Sequence, residues 1–180
     1  MYTIINMISV PDSCTLIYLV KIDLLNILPK LFNEVWIGGV VYEECVIRGK
    51  EEQKSDAFIL ERIIEGEKFK IKELSSKEDF DKEKLYFVGP GETEVYILTK
   101  AHKDTVAITS DAIAYQKLIR RGINAIRADE LLLEAFKRKI FGFDEFSDNL
   151  IKLQTVGGTT EERIAFLIKK ALEVKKWKQK

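Results

Sequence analysis

The chain has 180 residues, of which 46% are apolar and 32% are charged, as in an ordinary globular domain. Its 29 basic and 29 acidic residues leave no net charge, which excludes a global electrostatic attraction to nucleic acid or membrane. Two distant cysteines and a single histidine exclude a Cys/His zinc site, so any metal would be bound by oxygen. No apolar run could span a bilayer and no signal peptide is recognisable, so we expect a cytoplasmic protein without a membrane partner.

Apolar periodicity and turn residues define the predicted elements of the first half of the chain. Strands are predicted from β-branched apolar runs, and helices from apolar residues spaced three or four positions apart. In chain order these elements are a strand at 3–10, helices at 16–20 and 23–31, a strand at 34–37, a helix at 40–48 stopped by Gly49, a helix from 55 to Gly66, and a strand at 69–74. The polar residues 75–84 predict a surface connection.

The second half of the chain continues the same alternation after a Gly-Pro-Gly turn at 89–91. In chain order its elements are a helix at 92–102, a strand at 106–109, a helix from 110 to Gly122, a strand at 123–127, a helix at 129–138, and a helix at 160–175 opened by a capping box from Thr159 to Glu162. Strands alternating with helices through short turns predict a parallel sheet of about five strands with helices on both faces. We expect residues 1–145 to form this domain, and residues 146–180 to form a helical extension packed on it or on a partner.

Acidic residues follow two of the predicted strands. Asp12 ends the first strand, and Asp111 follows the strand at 106–109. Because the carboxyl ends of parallel strands meet at one edge of a sheet, we expect these carboxylates to lie close together. Glu44 lies near the start of the helix after the second strand, and Glu92 and Glu94 lie in the first turn of the helix that descends into the Asp111 strand. The topology therefore predicts four or five carboxylates around one cleft.

Carboxylates this close raise one another's pKa and require either protons or cations. Oxygen ligands without His or Cys favour Mg²⁺ or Mn²⁺, and Mg²⁺ commonly bridges carboxylates to phosphate. The cluster thus favours metal-assisted phosphodiester hydrolysis with one or two ions. A structural role is the alternative, because Asp12 could cap a helix and acids such as Glu44 are favourable in the first turn of any helix.

Four sequence motifs resemble those of the PIN-domain nucleases, in particular a branch similar to VapC-like toxins and a subgroup with a GPGExE third motif. The motifs stand in the family's order at 12–19 (DSCTLIYL), 41–44 (VYEE), 89–94 (GPGETE) and 109–111 (TSD). The likeness runs from about Ile4 to Gly142 and implies a three-layer α/β/α sandwich. It also implies a metal-dependent endoribonuclease, the toxin of a toxin–antitoxin pair that is held by an antitoxin protein, often as dimers.

The resemblance also implies roles for individual acids. Carried over position by position, it makes Asp12, Glu94 and Asp111 the ligands of a Mg²⁺ or Mn²⁺ ion. It makes Glu44 the residue that orients the ion or its water, so that these four acids form the predicted catalytic set. The neighbouring Glu92 is a supporting residue, and the choice between Glu92 and Glu94 as ligand stays open.

Hydroxyl and basic residues complete the predicted site. Ser13 and Thr109 match hydroxyl positions of the family and are expected to bind waters or phosphate oxygens. Arg120 and Arg121 are candidates for binding the phosphates of the RNA substrate. The same motifs in a catalytically inactive RNA- or protein-binding module are the alternative to an enzyme, and the sequence leaves RNA and DNA undistinguished as substrates.

Overall fold

One parallel sheet organises the chain, whose computed structural model describes residues 6–66, 68–74, 76–87 and 89–177, with only the backbone of 176 and 177. The strands are β1 (Ile8–Pro11), β2 (Glu34–Gly38), β3 (Phe69–Lys72), β4 (Thr105–Thr109) and β5 (Ala125–Arg127). Their spatial order is β3-β2-β1-β4-β5, and every pairing is parallel. This arrangement confirms the predicted α/β/α fold. The order of strands reverses between β1 and β4, so the ends of these two strands border the crevice where ligands usually bind.

The first strand differs in its limits from the prediction. Of the predicted 3–10, residues 3–5 lie outside the described residues, and β1 extends to Pro11, which pairs with Ile108 of β4. Proline ends the strand here without breaking the pairing, because the next amide, that of Asp12, donates to the Ile108 carbonyl at 3.0 Å. The strand is therefore held to β4 up to the residue that carries the first acid.

A continuous helical segment of unusual geometry follows β2. Its parts are α3 (Gly39–Tyr42), a π-helical turn (Glu43–Ile47) and α4 (Arg48–Glu51). Gly49 does not end this helix as predicted, because it lies inside α4, where a Cβ atom would come 2.7 Å from the Cβ of Ala57. The helix continues past Gly49 because the missing side chain allows a close approach to the next helix. Single π turns occur frequently at functional sites, and this one contains Glu44.

The remaining helices cover the sheet and extend beyond it. They are α1 (Ser13–Lys21), α2 (Leu28–Leu31) after a 3₁₀ turn (Leu25–Ile27), α5 (Ser55–Ile64), α6 (Lys77–Glu83), α7 (Pro90–Ala101), α8 (Ala112–Arg120), α9 (Ala128–Lys137), α10 (Phe143–Thr155) and α11 (Glu161–Trp177). Within the described ranges, none of them is long and apolar enough to cross a membrane.

Two of these helices depart from the sequence prediction. The segment predicted as a surface connection contains α6, whose first turn is capped by Ser76, because its hydroxyl oxygen accepts the Asp79 amide at 3.2 Å. Helix α10 is not among the individual helices that the sequence predicts, although its residues from 146 onwards belong to the predicted helical extension. Its apolar residues Phe146, Leu150 and Leu153 are fully buried at helical spacing, so the pattern that could have revealed it is present in the sequence.

The last helix packs against the domain through its apolar face. Leu167 and Ala171 of α11 are buried in the same core as the sheet. The predicted capping box of Thr159 and Glu162 is not formed; Thr160 caps the helix instead, since its hydroxyl oxygen accepts the Arg163 amide at 3.4 Å. The Thr159 hydroxyl is not available for capping, because it donates to a carboxylate oxygen of Asp129 at 2.7 Å. Helix α11 is thus attached to α9 by polar as well as apolar contacts.

Candidate active site

Asp12 lies at the end of β1, directly before α1, and its carboxylate is only 5% exposed. Its Oδ1 accepts the Thr15 amide at 2.7 Å, and its Oδ2 accepts the Thr109 hydroxyl at 2.5 Å. Burial raises the pKa of Asp12, these hydrogen bonds oppose the rise, and the charge of Asp111 adds to it. Among the described residues, no lysine, arginine or histidine forms an ion pair with Asp12. A buried carboxylate without a cation is the central feature of this edge of the sheet.

Thr109 connects Asp12 to the second acid. It is the last residue of β4, and the same hydroxyl that donates to Asp12 accepts the amide of Asp111 at 3.1 Å. Asp111 caps α8, because its Oδ1 accepts the amides of Ile113 and Ala114, each at 2.7 Å. The two acids that follow β1 and β4 therefore share one hydroxyl at the point where the strand order reverses, as the topology predicts.

Glu44 joins three elements at the same edge. Its Oε2 accepts the hydroxyl of Ser13 in a short hydrogen bond, and its Oε1 accepts the amide of Gly91 at 3.3 Å. A Cβ atom on Gly91 would lie 2.6 Å from Glu44 Oε2 and 3.3 Å from Ser13 Oγ. The glycine thus permits the start of α7 to approach the π-helical turn and α1.

Glu94 has a different environment. Its side chain is 1% exposed, and its Oε1 and Oε2 accept the amides of Val40 and Val41 at 3.1 and 3.0 Å. Burial raises its pKa, the two amide bonds oppose this, and the charges of Glu73 and Glu44 add to the rise. Gly38 is needed beside it, since a Cβ there would overlap the carboxylate at 2.0 Å. Both oxygens of Glu94 are therefore engaged in capping α3, which is the contact pattern of a structural carboxylate.

The pKa of the Cys14 thiol indicates which acidic side chains lie near one another. Partial burial is the main cause of its pKa of about 11, and the next causes are the negative charges of Asp12, Asp111, Glu92 and Glu44, in that order. The four acids around Cys14 therefore form one electrostatic cluster, which we call the carboxylate cluster. A thiol with this pKa is protonated at neutral pH and is not a nucleophile.

The model of a family described as a PIN domain (DUF3368) matches residues 8–173, which is most of the chain. The chain belongs to the PIN-domain family. PIN domains are generally nucleases, so the family indicates a nuclease-type hydrolytic function. The match continues through α10 and most of α11, beyond Gly142, where the resemblance of the four motifs ends. A comparison with curated proteins gives no match.

The donor chemistry of this PIN domain fits a hard divalent cation, the kind of ion that PIN-domain nucleases typically use. Within the described ranges, no three His, Cys, Asp or Glu side chains are grouped so that they could hold a metal ion. Mg²⁺ keeps several of its waters and is usually bound by one or two carboxylates, so a smaller set of ligands is sufficient. Asp12 and Asp111 follow the neighbouring strands β1 and β4, and the Thr109 hydroxyl contacts the carboxylate of the first and the backbone amide of the second.

The two arginines predicted to bind substrate lie elsewhere. Arg120 and Arg121 are at the C-terminal end of α8, about 13 Å along the helix axis from Asp111. The guanidinium of Arg121 pairs with Glu83 at 2.6 Å and lies 4.1 Å from the centre of the Tyr86 ring. The structure does not bring either arginine to the carboxylate cluster of the PIN domain.

Two further residues lie at the same edge, and neither is in the predicted site. Arg127 ends β5 opposite Thr109, and its Nη2 donates to the carbonyl of Ser110 at 3.3 Å. Glu73 follows β3, and a Cβ on Gly39 would come 2.6 Å from each of its carboxylate oxygens. Their positions in the sequence could have identified both residues as candidates, because each lies at the end of a parallel strand, as Asp12 and Asp111 do.

Proposed function

We propose that this PIN domain is a Mg²⁺- or Mn²⁺-dependent endoribonuclease that hydrolyses the phosphodiester bonds of RNA. The observation that carries the proposal is Asp12, a buried carboxylate with a raised pKa and without a cationic side chain among the described residues. A second acid, Asp111, is held beside it, because its backbone amide donates to the same Thr109 hydroxyl that donates to the Asp12 carboxylate. Since burial of an uncompensated charge is costly, such a site gains stability from an added cation. The nuclease-type function of the family supplies the reaction class.

In this proposal Asp12 and Asp111 hold the ion directly, and Glu44 and Glu92 lie beside it. A bound divalent ion supplies charge neutralisation at the phosphate and activation of water. The chain's own residues set the geometry. Thr109 fixes one oxygen of Asp12 by donating its hydroxyl proton, and Thr15 fixes the other through its amide. These bonds leave the remaining lone pairs of the Asp12 oxygens as the donors for an ion.

We assign the acid that α7 contributes to the cluster to Glu92. Its charge raises the pKa of Cys14 together with those of Asp12 and Asp111. Each oxygen of Glu94 accepts an amide at the start of α3, that of Val40 or Val41, so its carboxylate has a role in holding that helix. We therefore give Glu94 the role of a structural cap and Glu92 the role beside the ion.

The biological role that we propose is that of a toxin neutralised by an antitoxin protein, acting as a dimer. The support for it is the likeness of the four motifs to the VapC-like branch and its GPGExE subgroup. Induced expression of the wild-type chain should arrest growth of a bacterial host, and Asp12→Asn should relieve the arrest at equal expression. Equal arrest by both chains would contradict this role.

Cleavage of nucleic acid tests the enzymatic proposal. Purified protein is incubated with a pool of single-stranded and structured RNA, and with DNA of the same sequences, in Mn²⁺ or in EDTA. The variants are Asp12→Asn and Asp111→Asn. Asp144→Asn is the matched control, because Asp144 is an exposed acid in the first turn of α10. We expect Mn²⁺-dependent RNA cleavage that falls at least about a hundredfold in the two site variants and is unchanged in the control.

Three results would contradict the proposal. Equal cleavage by the wild type and both site variants would identify a contaminant. Cleavage of DNA alone would overturn the substrate class. Absence of both cleavage and Mn²⁺-dependent stabilisation would favour an inactive binding module, because a protein that binds an ion only in its folded state must be stabilised by it.

A further inference from the structure

We propose that Arg127 is a positioning residue for Asp111, acting by holding the peptide group between Ser110 and Asp111. The inference rests on the proposed function, because it gives Arg127 a part in forming the same metal-dependent site. Arg127 does not belong to any of the four sequence motifs, and its guanidinium does not need to reach the substrate for this role. Its side chain is 12% exposed.

The peptide group that leads into Asp111 is held at both of its polar atoms. Its carbonyl oxygen, that of Ser110, accepts Nη2 of Arg127 at 3.3 Å. Its amide, that of Asp111, donates to the hydroxyl of Thr109 at 3.1 Å. A planar peptide group with both polar atoms bonded cannot rotate freely, so the direction in which Asp111 leaves the backbone is fixed.

The two bonds also couple Asp111 to Asp12. The Thr109 hydroxyl that accepts the Asp111 amide donates its proton to Asp12 Oδ2 at 2.5 Å. If the peptide turned, the Thr109 hydroxyl would lose the Asp111 amide, which is one of the two bonds that fix its direction. Arg127 thus stabilises the relative placement of the two acids, and misplacement of about 1 Å in such a site is costly for catalysis.

The contacts of Arg127 distinguish it from an arginine that only forms an ion pair. Asp129 is the nearest carboxylate, but its Oδ1 lies 3.9 Å from Nε, and its oxygens accept hydrogen bonds from Arg163 and Thr159. Nε of Arg127 is buried and has no hydrogen-bond partner in the described part of the chain. Among those residues the guanidinium makes one hydrogen bond, to the Ser110 carbonyl.

Arg138, which follows the other end of α9, provides a matched control. It also donates a guanidinium hydrogen bond to a backbone carbonyl, that of Leu31, at 2.8 Å. It follows the C-terminal end of α9, whereas Arg127 directly precedes the N-terminal end, so the two residues lie at opposite edges of the sheet. Arg138→Gln removes the same kind of contact as Arg127→Gln without touching the Ser110–Asp111 peptide.

Steady-state RNA cleavage, Mn²⁺ dependence and melting temperature are measured for Arg127→Gln, Arg127→Lys and Arg138→Gln. We expect Arg127→Gln to lower kcat about tenfold with little change in KM for RNA, and to raise the Mn²⁺ concentration for half-maximal stabilisation several-fold. Arg127→Lys should recover part of both losses, because an ammonium group can donate to the same carbonyl. Arg138→Gln should lose comparable thermal stability and keep its kcat.

Several outcomes would overturn the inference. An unchanged kcat and Mn²⁺ dependence in Arg127→Gln would do so, as would equal losses in Arg138→Gln. A rise in KM at constant kcat would show that Arg127 binds RNA instead. If Arg127→Gln does not fold, the same criteria apply to Arg127→Lys, which must then fall below the wild type in kcat.

The same measurements distinguish a wrong role for Arg127 from a wrong function for the protein. A wild type that cuts RNA with Mn²⁺ and loses this activity in Asp12→Asn preserves the function even when Arg127 proves irrelevant. A wild type that neither cuts RNA nor responds to Mn²⁺ has no metal site to be positioned, and overturns both. Where the wild type responds to Mn²⁺ without cutting the RNA supplied, the Mn²⁺ dependence of melting alone decides on Arg127.

Discussion

Two buried carboxylates of this chain are compensated in opposite ways. Asp129 is fully buried, and both of its oxygens accept hydrogen bonds from the guanidinium of Arg163, at 2.8 and 2.7 Å, with Thr159 as a further donor. Asp12 is nearly as inaccessible, but its partners are the amide of Thr15 and a neutral hydroxyl. One acid has its own cation, and the other does not.

The difference supports the functional role that we propose for Asp12. The Asp129 pair joins α9 to α11 and raises the pKa of Arg163 well above its usual range. Asp12 instead faces other acids, and burial raises its own pKa. Glu94 is also buried without a cationic partner among the described residues, but its two oxygens accept the amides of Val40 and Val41. For Asp12 we propose that a bound Mg²⁺ or Mn²⁺ supplies the missing cation. That contrast, together with membership of the PIN family, is the basis of the proposed metal site.

The largest effect is expected on the structural side of the comparison. Asp129→Asn should lower the free energy of unfolding by about 2–3 kcal/mol, because it removes the buried carboxylate charge that faces Arg163 and leaves Glu130, at 3.0 Å, as the remaining charged partner of that guanidinium. Chemical denaturation monitored by circular dichroism measures it. Asp144→Asn, at an exposed position, should change the same quantity by no more than about 0.5 kcal/mol. A loss in Asp129→Asn as small as that of the control would remove the structural half of the comparison.

A smaller effect on stability, with a clear effect on activity, is expected at Gly91. In Gly91→Ala the new Cβ would displace the Glu44 carboxylate, whose Oε2 lies 2.6 Å from that position. We expect cleavage to fall about tenfold, while the free energy of unfolding changes by less than about 1 kcal/mol, since alanine favours the helix. Gly89→Ala is the control, because its Cβ would meet no atom within 4 Å. Equal activity of the two variants would argue against a role for Glu44.

The smallest effect has the opposite sign. In EDTA at neutral pH, Asp12→Asn should raise the melting temperature by about 2–4 °C, which corresponds to about 1 kcal/mol for a chain of this size. The raised pKa of Asp12 means that folding favours its protonated form. The wild type therefore loses stability as the pH rises through the folded pKa.

The pH dependence of that difference provides its check. The gain in Asp12→Asn should shrink as the pH falls and disappear below the ordinary aspartate value of 3.8, where the wild-type carboxyl is also neutral. Differential scanning calorimetry across this range measures it. A variant that melts below the wild type in EDTA at neutral pH would show that the Asp12 carboxylate is structural, like that of Asp129.

The sequence could predict the site only as far as topology determines it. Asp12 and Asp111 follow parallel strands, and the ends of such strands must meet at one edge, so their proximity needed no knowledge of side-chain packing. The roles of Glu92 and Glu94 depend on how α7 is rotated against the start of α3. That rotation results from the packing of many side chains, and no local pattern in the sequence contains it. The contacts of Glu94 with the α3 amides were therefore not foreseeable.

The fold was predictable for a similar reason, with exceptions at its periphery. Alternating strands and helices are sufficient to predict a parallel sheet, since each connection must cross back to the same edge. Helix α10 has a clear apolar face at Phe146, Leu150 and Leu153, and this helical spacing of apolar residues is sufficient to predict the helix from the sequence. The bond from Arg127 to the Ser110 carbonyl is different, because it joins β5 to the turn after β4 and has no signature in either segment.

The most direct test of the central claim is the equilibrium binding of Mn²⁺ measured by isothermal titration calorimetry. Wild type and Asp12→Asn are compared at neutral pH, with Asp144→Asn as the control. We predict saturable binding by the wild type and the control, and loss of that binding in Asp12→Asn although this variant remains folded and melts no earlier. Equal binding by wild type and Asp12→Asn, or none by either, would contradict the claim that Asp12 awaits an external cation.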